Sequence, residues 1–410
     1  MSSDQWKVES GKWKARSRRV GGSARRRVRV LAVCGTRPDA VKMAPVVIEL
    51  KKHPQEVELV LAVTGQHREM LEQVLHTFGL TPDYDLNIMT ARQTLAQITT
   101  RALEGLEKVI GEVEPDLVLA QGDTTTTFAA ALAAFYHKVP FGHVEAGLRT
   151  DNRYDPFPEE INRRLTSVLT DLHFAPTERA KQALLAEGVR DESIFVTGNT
   201  VIDALLTVAA RKHEFDDARV RQAVESGRMI LVTAHRRENW GEPMRGICEG
   251  IRRIVSAHPE VSVVFSVHKN PIVREVVFPE FRNFSERVVL VEPPDYVPFV
   301  HLMKSAYLIL TDSGGVQEEG PSLGKPVLVL RKTTERPEGV EAGNAKLVGT
   351  DPDVITAESE RLLNDPAAYD AMSRVANPYG DGRAAQRIWR AITNYESQVD
   401  SPPGPGTRNS

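Results

Sequence analysis

The chain has 410 residues, 41% of them hydrophobic, and a formal net charge of −3 at pH 7. That length exceeds one ordinary core and implies two domains of about 150–200 residues each. The small net charge argues against a chain that binds nucleic acid or a membrane surface as a whole, and no apolar run approaches the roughly 18 residues of a membrane-spanning helix.

Cys34 and Cys248 lie far apart, make neither a disulfide framework nor a metal-ligand pattern, and read as core residues of a protein in a reducing cytoplasm. Residues 1–27 carry Lys12, Lys14, Arg16, Arg18, Arg19 and Arg25 to Arg27 among scattered apolar residues. With no apolar stretch behind those charges the segment is not a secretory signal and reads as a basic disordered extension. From Val28 short β-branched runs alternate with helical-period segments, the pattern of a doubly wound α/β fold with a parallel sheet. Strands are expected at 28–34, 57–63, 116–120, 139–143, 172–175 and 193–196, and again at 229–233, 261–267, 287–291, 307–311, 326–330 and 345–348. Two sets of about six strands give two parallel-sheet domains facing a central cleft, 28–199 and 200–382, divided at the Gly198-Asn199 turn. The closing run SPPGPGTRNS, within 399–410, reads as a disordered tail.

Open α/β sheets bind ligands beyond the carboxyl ends of their strands, so those ends are where chemistry is sought. Strand one runs into Gly35-Thr36-Arg37-Pro38, with Asp39 and Lys42 on the first turns of a helix. Arg37 and Lys42 suit a diphosphate, because a basic pair at a helix start opposes the dipole unless an anion joins it. The turn Thr64 to Glu69, which includes Gln66 and His67, reads as a polar loop and helix cap. Asp123, after Gln121-Gly122 and before four threonines, reads as an N-cap or as a site carboxylate. Strand four ends in His143-Val144-Glu145, and the loop 151–158 delivers Glu159 and Glu160 to a helix with Arg163 and Arg164, where either glutamate has ion-pair spacing. Asp123, Glu145 and Glu159, converging from neighbouring strand ends, repel one another and so become usable as acids and bases near neutrality.

The second domain opens with His235-Arg236-Arg237, placed for phosphate contact or proton transfer, and its next strand ends in His268-Lys269, which reads equally as a solvated turn. Leu308 to Leu330 reads as strand, Ser313-Gly314-Gly315 turn, short helix and strand. Glycines let the backbone approach a bound group, and the free N–H groups of the helix start suit a phosphate. Glu318 and Glu319, one turn on, lie within reach of a ribose.

Together CGTRPDAVKMAP, TGQHREML, QGDTTTT, GHVEAGLRT, PFPEEINRR, TGNTVIDAL, TAHRREN and TDSGGVQEEGPSLGKPVLVLR with TTERPE behind it resemble the bacterial, non-hydrolysing UDP-N-acetylglucosamine 2-epimerases, from about Val30 to about Ile392. The resemblance implies two Rossmann-like domains in a glycosyltransferase-B-like arrangement, a last helix at 383–398 crossing back to the first domain, a homodimer and no cofactor. It implies that Arg37, Lys42, His235, Phe299, Ser313, Gly314, Gly315, Glu319 and Arg336 hold UDP. Asp123, Glu145 and Glu159 become the acid/base carboxylates, with His235 near the leaving phosphate. Gln66, His67, Arg236 and His268 fall where some members bind a second, activating UDP-N-acetylglucosamine. Two departures stand out: Asp39 replaces the usual Glu, and Asp155 replaces a common Ser, adding charge beside the carboxylates.

The implied chemistry is reversible C2 epimerisation by elimination of UDP to a 2-acetamidoglucal and re-addition. The rivals are a hydrolysing epimerase, an epimerase of a related UDP-amino sugar, a glycosyltransferase of the same fold and a non-catalytic UDP-sugar-binding regulator. The regulator reading is disfavoured by the intact carboxylate trio. A nicotinamide-dependent route is disfavoured because no GxGxxG follows the first strand.

Overall fold

The computed structural model of the chain describes residues 26–65, 68–90 and 92–399. Nearly all of the basic extension, the Gln66-His67 pair and the terminal tail lie outside the described residues. The first sheet comprises β1 (Val28–Cys34), β2 (Val57–Val63), β3 (Tyr84–Asp85), β4 (Leu117–Gln121), β5 (Phe141–Val144), β6 (Leu172–Ala175) and β7 (Ile194–Val196). The second comprises β8 (Met229–Ala234), β9 (Ser262–Val267), β10 (Val288–Val291), β11 (Leu308–Thr311), β12 (Val327–Val329) and β13 (Ala345–Leu347). All pairings are parallel, in the orders β3-β2-β1-β4-β5-β6-β7 and β10-β9-β8-β11-β12-β13. The expected α/β architecture is present, with one strand more than the sequence suggested. That strand, β3, pairs only through Tyr84 and Asp85 at the sheet edge and is too short to show a periodicity.

Strands such as β4 and β11 are buried along their whole length, as parallel strands covered by helices on both faces must be. The order reverses between β1 and β4 and between β8 and β11, and at each reversal helices leave to opposite faces and open a crevice. At the first of these, helix Arg37–Lys51 starts in a capping box: Thr36 accepts from the Asp39 amide, and the Asp39 carboxylate accepts from Thr36 N at 3.0 Å. Asp39 thus does structural work at the helix start. A Cβ on Gly35 would fall 2.5 Å from Thr126 Oγ1, so only glycine lets helix Thr125–Tyr136 pack directly on this turn.

Helix Thr200–Ala209 packs against helix Arg37–Lys51 of the first sheet and against helices Tyr296–Ser305 and Gly314–Ser322 of the second. The final helix, Ala384–Val399, returns to pack on Arg37–Lys51 and Thr200–Ala209. Trp389 stacks on His53 with ring centroids 3.7 Å apart, and Arg387 Nη1 donates to Thr197 O at 3.0 Å. One buried apolar cluster therefore runs from Val30 through Ile202 and Leu205 to Ile309 and Ile388. Both cysteines are buried, as expected. No described helix is long and apolar enough to cross a membrane.

The N-terminus of the final helix is capped from outside itself, because Asp203 accepts from Ala384 N at 3.2 Å and Ala385 N at 2.9 Å. Losing such a cap costs about 1–2 kcal/mol. Asp203→Ala is expected to lower the melting temperature and to speed amide exchange at residues 384–392 before it affects the second sheet, as hydrogen-exchange mass spectrometry would read.

Candidate active site

Glu145 follows β5 with φ +65°, a left-handed conformation that a β-carbon disfavours, so the surrounding contacts must hold it. Those contacts come from three places in the chain. Lys42 Nζ reaches Oε1 and Oε2 at 2.6 and 2.7 Å, Gln121 Nε2 donates to Oε2, and Asn199 Nδ2 donates to Oε1 at 3.0 Å. Burial pushes the Glu145 carboxyl up, but the Lys42 ammonium and these donors outweigh it and hold the pKa below the ordinary range.

Across the cleft, Asn199 Nδ2 also donates to Glu318 Oε2 at 2.7 Å, and Glu318 Oε1 pairs with Arg336 Nε. Glu319 lies beside them with one carboxylate oxygen buried and unpartnered. Two cations, Lys42 and Arg336, thus meet three buried carboxylates, Glu145, Glu318 and Glu319. The surplus is relieved at Glu319, whose pKa burial, aided by Glu318, raises to about 8. Glu319 is accordingly protonated at neutral pH and can donate a hydrogen bond to a ligand hydroxyl.

Asp123 and Glu159 share a second anchor, helix Glu159–Leu169. Arg163 Nε and Nη2 reach Asp123 Oδ2 at 2.9 and 2.5 Å, and Asn162 Nδ2 donates to Asp123 O at 2.9 Å. The cap reading of Asp123 fails, because Thr124 caps the following helix. Glu160, fully buried, takes the ion pairs with Arg163 and Arg164, at 3.3 and 3.0 Å. Glu159 is left with a buried Oε2 that has no partner. A buried oxygen without a donor is costly unless a ligand supplies one.

At the second reversal Asp312 is buried and joins the two strand ends, accepting from His235 N, Arg236 N at 2.8 Å and Asn239 Nδ2 at 2.9 Å. Its Oδ1 also lies 3.2 Å from His235 Nδ1, which places the imidazole proton there and leaves Nε2 as the outer atom. Burial keeps the His235 pKa below its ordinary value against the pull of Asp312. Helix Gly314–Ser322 begins at Ser313 with no side-chain cap and no acidic residue in its first turn, so its N–H groups are available to an anion. Arg37 lines a recess with Gln73, Thr77, Tyr296 and Val297.

The profile described as UDP-N-acetylglucosamine 2-epimerase matches residues 48–393. The chain belongs to the UDP-N-acetylglucosamine 2-epimerase family. It is 56% identical over 363 residues to the UDP-N-acetylglucosamine 2-epimerase of Bacillus subtilis, spanning 88% of this chain and 94% of that protein. To the Escherichia coli K12 enzyme of the same name it is 54% identical over 373 residues, spanning 90% and 99%. The crystal structure of the Neisseria meningitidis UDP-GlcNAc 2-epimerase bound to UDP-GlcNAc superposes with a TM-score of 0.78 at 48% identity, covering 90% of this chain and 100% of that one.

Of the residues the family resemblance singles out, Lys42, Glu145 and Arg336 stand in one network, whereas Asp123 and Glu159 meet at the helix beside it. Lys42 lies on Glu145, with Nζ 2.6 and 2.7 Å from the two carboxylate oxygens. Phe299, on helix Tyr296–Ser305, is partly buried against the common core, and His268 stacks near His235 with centroids 6.1 Å apart. Arg236 Nη2 pairs with Glu335 at 2.9 Å while its Nε is buried without a partner. Gln66 and His67 lie outside the described residues. Sequence reasoning missed Gln121, Asn199, Asp312 and Asn239, all neutral or unpaired in sequence and recognisable only by where they point.

Because the folded Glu319 pKa lies above the unfolded one, its contribution to stability is complete below the unfolded value, near 4.5, and is lost as pH rises through about 8. Glu319→Gln, which fixes the neutral form, is expected to flatten the fall in melting temperature of the ligand-free protein between pH 5 and 8.5. Parallel wild-type and variant profiles would refute the assignment.

Proposed function

We propose that this protein reversibly inverts C2 of UDP-N-acetylglucosamine to give UDP-N-acetylmannosamine, without net hydrolysis. The observation that carries the reading is that Glu145, charged and gripped by Lys42, lies one asparagine away from Glu318 on the helix that begins at Ser313 without a side-chain cap. An acid/base group is thereby set next to an anion site, as elimination of a nucleotide requires.

The C2 hydrogen of the sugar is not acidic, so it leaves only as the anomeric bond breaks. A carboxylate takes the C2 proton, the C–H electron pair forms the C1–C2 double bond, and the C1–O pair departs with UDP. Arg37, the Ser313–Gly315 turn and His235 receive the negative charge, and the arriving phosphate favours a protonated His235. Re-addition forms C1–O again while C2 takes a proton on the opposite face from another carboxylate. Asp123, Glu145 and Glu159 are the three candidates, and of these only Glu159 has a buried oxygen without a hydrogen-bond partner. The neutral Glu319 suits a ribose hydroxyl.

In deuterated water the epimerised sugar is expected to carry deuterium at C2 by proton NMR, with no dependence on added NAD and with UDP re-attached at equilibrium. Protium retained at C2 would overturn elimination, and stoichiometric free UDP would assign the hydrolysing reaction instead. Asp123→Asn, Glu145→Gln and Glu159→Gln are each expected to lower kcat by about a hundredfold or more with UDP affinity, read by calorimetry, nearly unchanged.

The same resemblance supports an activating UDP-N-acetylglucosamine held by Gln66, His67, Arg236 and His268, in a cytoplasmic homodimer. UDP-N-acetylmannosamine alone is then expected to react slowly until a trace of UDP-N-acetylglucosamine is added; full rate from the start would remove the second site. Phe135 and Tyr136 at one helix end, with Leu165 and Val168 on the next helix, give apolar surface for the second copy, and light scattering would read twice the chain mass.

A further inference from the structure

Glu145 presents a chemical problem for any proton transfer it takes part in. Its side chain is 4% exposed, and both oxygens are occupied: Oε1 by Lys42 and Asn199, Oε2 by Lys42 and Gln121. A carboxylate so saturated offers no lone pair to a proton until one donor moves away. Lys42 and Gln121 are fixed in the first half of the chain, on helix Arg37–Lys51 and strand β4. Asn199 is different.

Asn199 stands where the chain passes from the first sheet to the second. Its amide N donates to Tyr379 O at 2.7 Å, which is where the chain passes back. The two crossings touch: Gly198, at φ +87°, has Gly380 Cα only 3.3 Å from the place a Cβ would take. No side chain can be inserted there, so the two strands of the crossing bear directly on one another. From this pivot Asn199 Oδ1 accepts from Val201 N at 3.1 Å, capping helix Thr200–Ala209. Its Nδ2 gives one proton to Glu145 at 3.0 Å and the other to Glu318 at 2.7 Å. Glu318 belongs to the helix that begins at the Ser313–Gly315 turn, and it is 3% exposed.

We propose that Asn199 is a positioning residue for the C2 proton transfer: its side-chain amide, held at the crossing between the two halves, divides itself between Glu145 and Glu318 and so links the anion-binding helix to the orientation of Glu145. A ligand that draws the helix Gly314–Ser322 toward its phosphates moves Glu318, and Asn199 follows the shorter of its two bonds, freeing Glu145 Oε1. The inference rests on Glu145 being one of the acid/base groups. The charged groups facing Glu145 are Lys42 from its helix, Arg336 at the start of helix Pro337–Ala342 and Glu318 from helix Gly314–Ser322. His143 lies on β5, two residues before Glu145. Without the Asn199 donor the Lys42 pair remains, so Glu145 stays folded in place but its charged form loses a hydrogen bond and its oxygen loses its guide.

The test uses the full chain with Asn199→Ser and Asn199→Asp. Both keep an oxygen that can cap helix Thr200–Ala209, and neither can donate to Glu145 and Glu318 together. Asn199→Ser is expected to lower kcat about tenfold to a hundredfold with KM changed less than about threefold, and to move the acid limb of the kcat/KM profile upward. Asn199→Asp, which adds a carboxylate between two others, is expected to move it further. Melting temperature and UDP affinity are measured alongside.

A normal kcat and profile in Asn199→Ser would overturn the proposal. So would a fall in kcat with an unmoved profile and a matching loss of UDP affinity, the signature of a merely structural residue. If Asn199→Ser does not fold, Asn199→Asp alone decides, by whether its acid limb moves. The failure of the underlying reading is separable: Glu145→Gln retaining wild-type turnover would remove Glu145 from the reaction, whereas a dead Glu145→Gln beside an unaffected Asn199→Ser would remove only Asn199.

Discussion

The ion pair between Lys42 and Glu145 is the interaction on which the cleft depends. Both groups are largely removed from water, and an isolated charge so placed would cost several kcal/mol. The pair persists because every remaining lone pair on Glu145 is met, by Gln121 and Asn199, and because Arg336 compensates Glu318 on the other side. Remove Lys42 or Arg336 and an uncompensated carboxylate is left in a dry site; remove Gln121 or Asn199 and Glu145 keeps its ion pair but loses a hydrogen bond. The site is therefore a single electrostatic unit assembled from both sheets, in which burial and the neighbouring Glu318 push the Glu319 carboxyl up to about 8.

The fold explains how residues so distant in sequence can meet. Each sheet reverses its order beside its first strand, and each reversal lifts a glycine-bearing turn to the same edge: Gly35 and Gly122 in one, the residues around Asp312 in the other. Burial of β1 and β4, and of β8 and β11, makes those edges rigid, so side chains carried at strand ends are held by the core rather than by loops. Asp312 illustrates the economy of this, since one carboxylate ties β11 to the loop after β8 and also orients His235.

Much of this was legible before any coordinates. The twelve longer strands announced themselves as β-branched runs, and the carboxylates Asp123, Glu145 and Glu159 were marked by their places at strand ends. What the sequence could not disclose was partnership. Glu159 and Glu160 are adjacent and alike, and only the direction of the helix start decides that Glu160 takes the arginines while Glu159 keeps an oxygen free. Lys42 reads as a phosphate ligand because a dipole argument sees the helix alone; its pairing with Glu145, about a hundred residues later and just after β5, has no local signal. Asn199 looked like a turn residue and an N-cap, which it is, but its side-chain amide protons have nothing in local sequence to predict their targets.

The return of helix Ala384–Val399 to the first sheet also fixes an order of events during synthesis. Helix Arg37–Lys51 can form as soon as it leaves the ribosome, yet the surface that Ala385, Ile388 and Ile392 cover stays bare until almost the whole chain has been made. At about 5–20 residues per second, the roughly 190 residues from Ala209 to the end of the last helix take on the order of 10–40 s. For that interval the first half exists as a nearly complete sheet with an uncovered apolar flank. A nascent chain cut short between residues 210 and 384 would carry Asp123, Glu145 and Glu159 and still leave bare the apolar surface that Ala385, Ile388 and Ile392 cover.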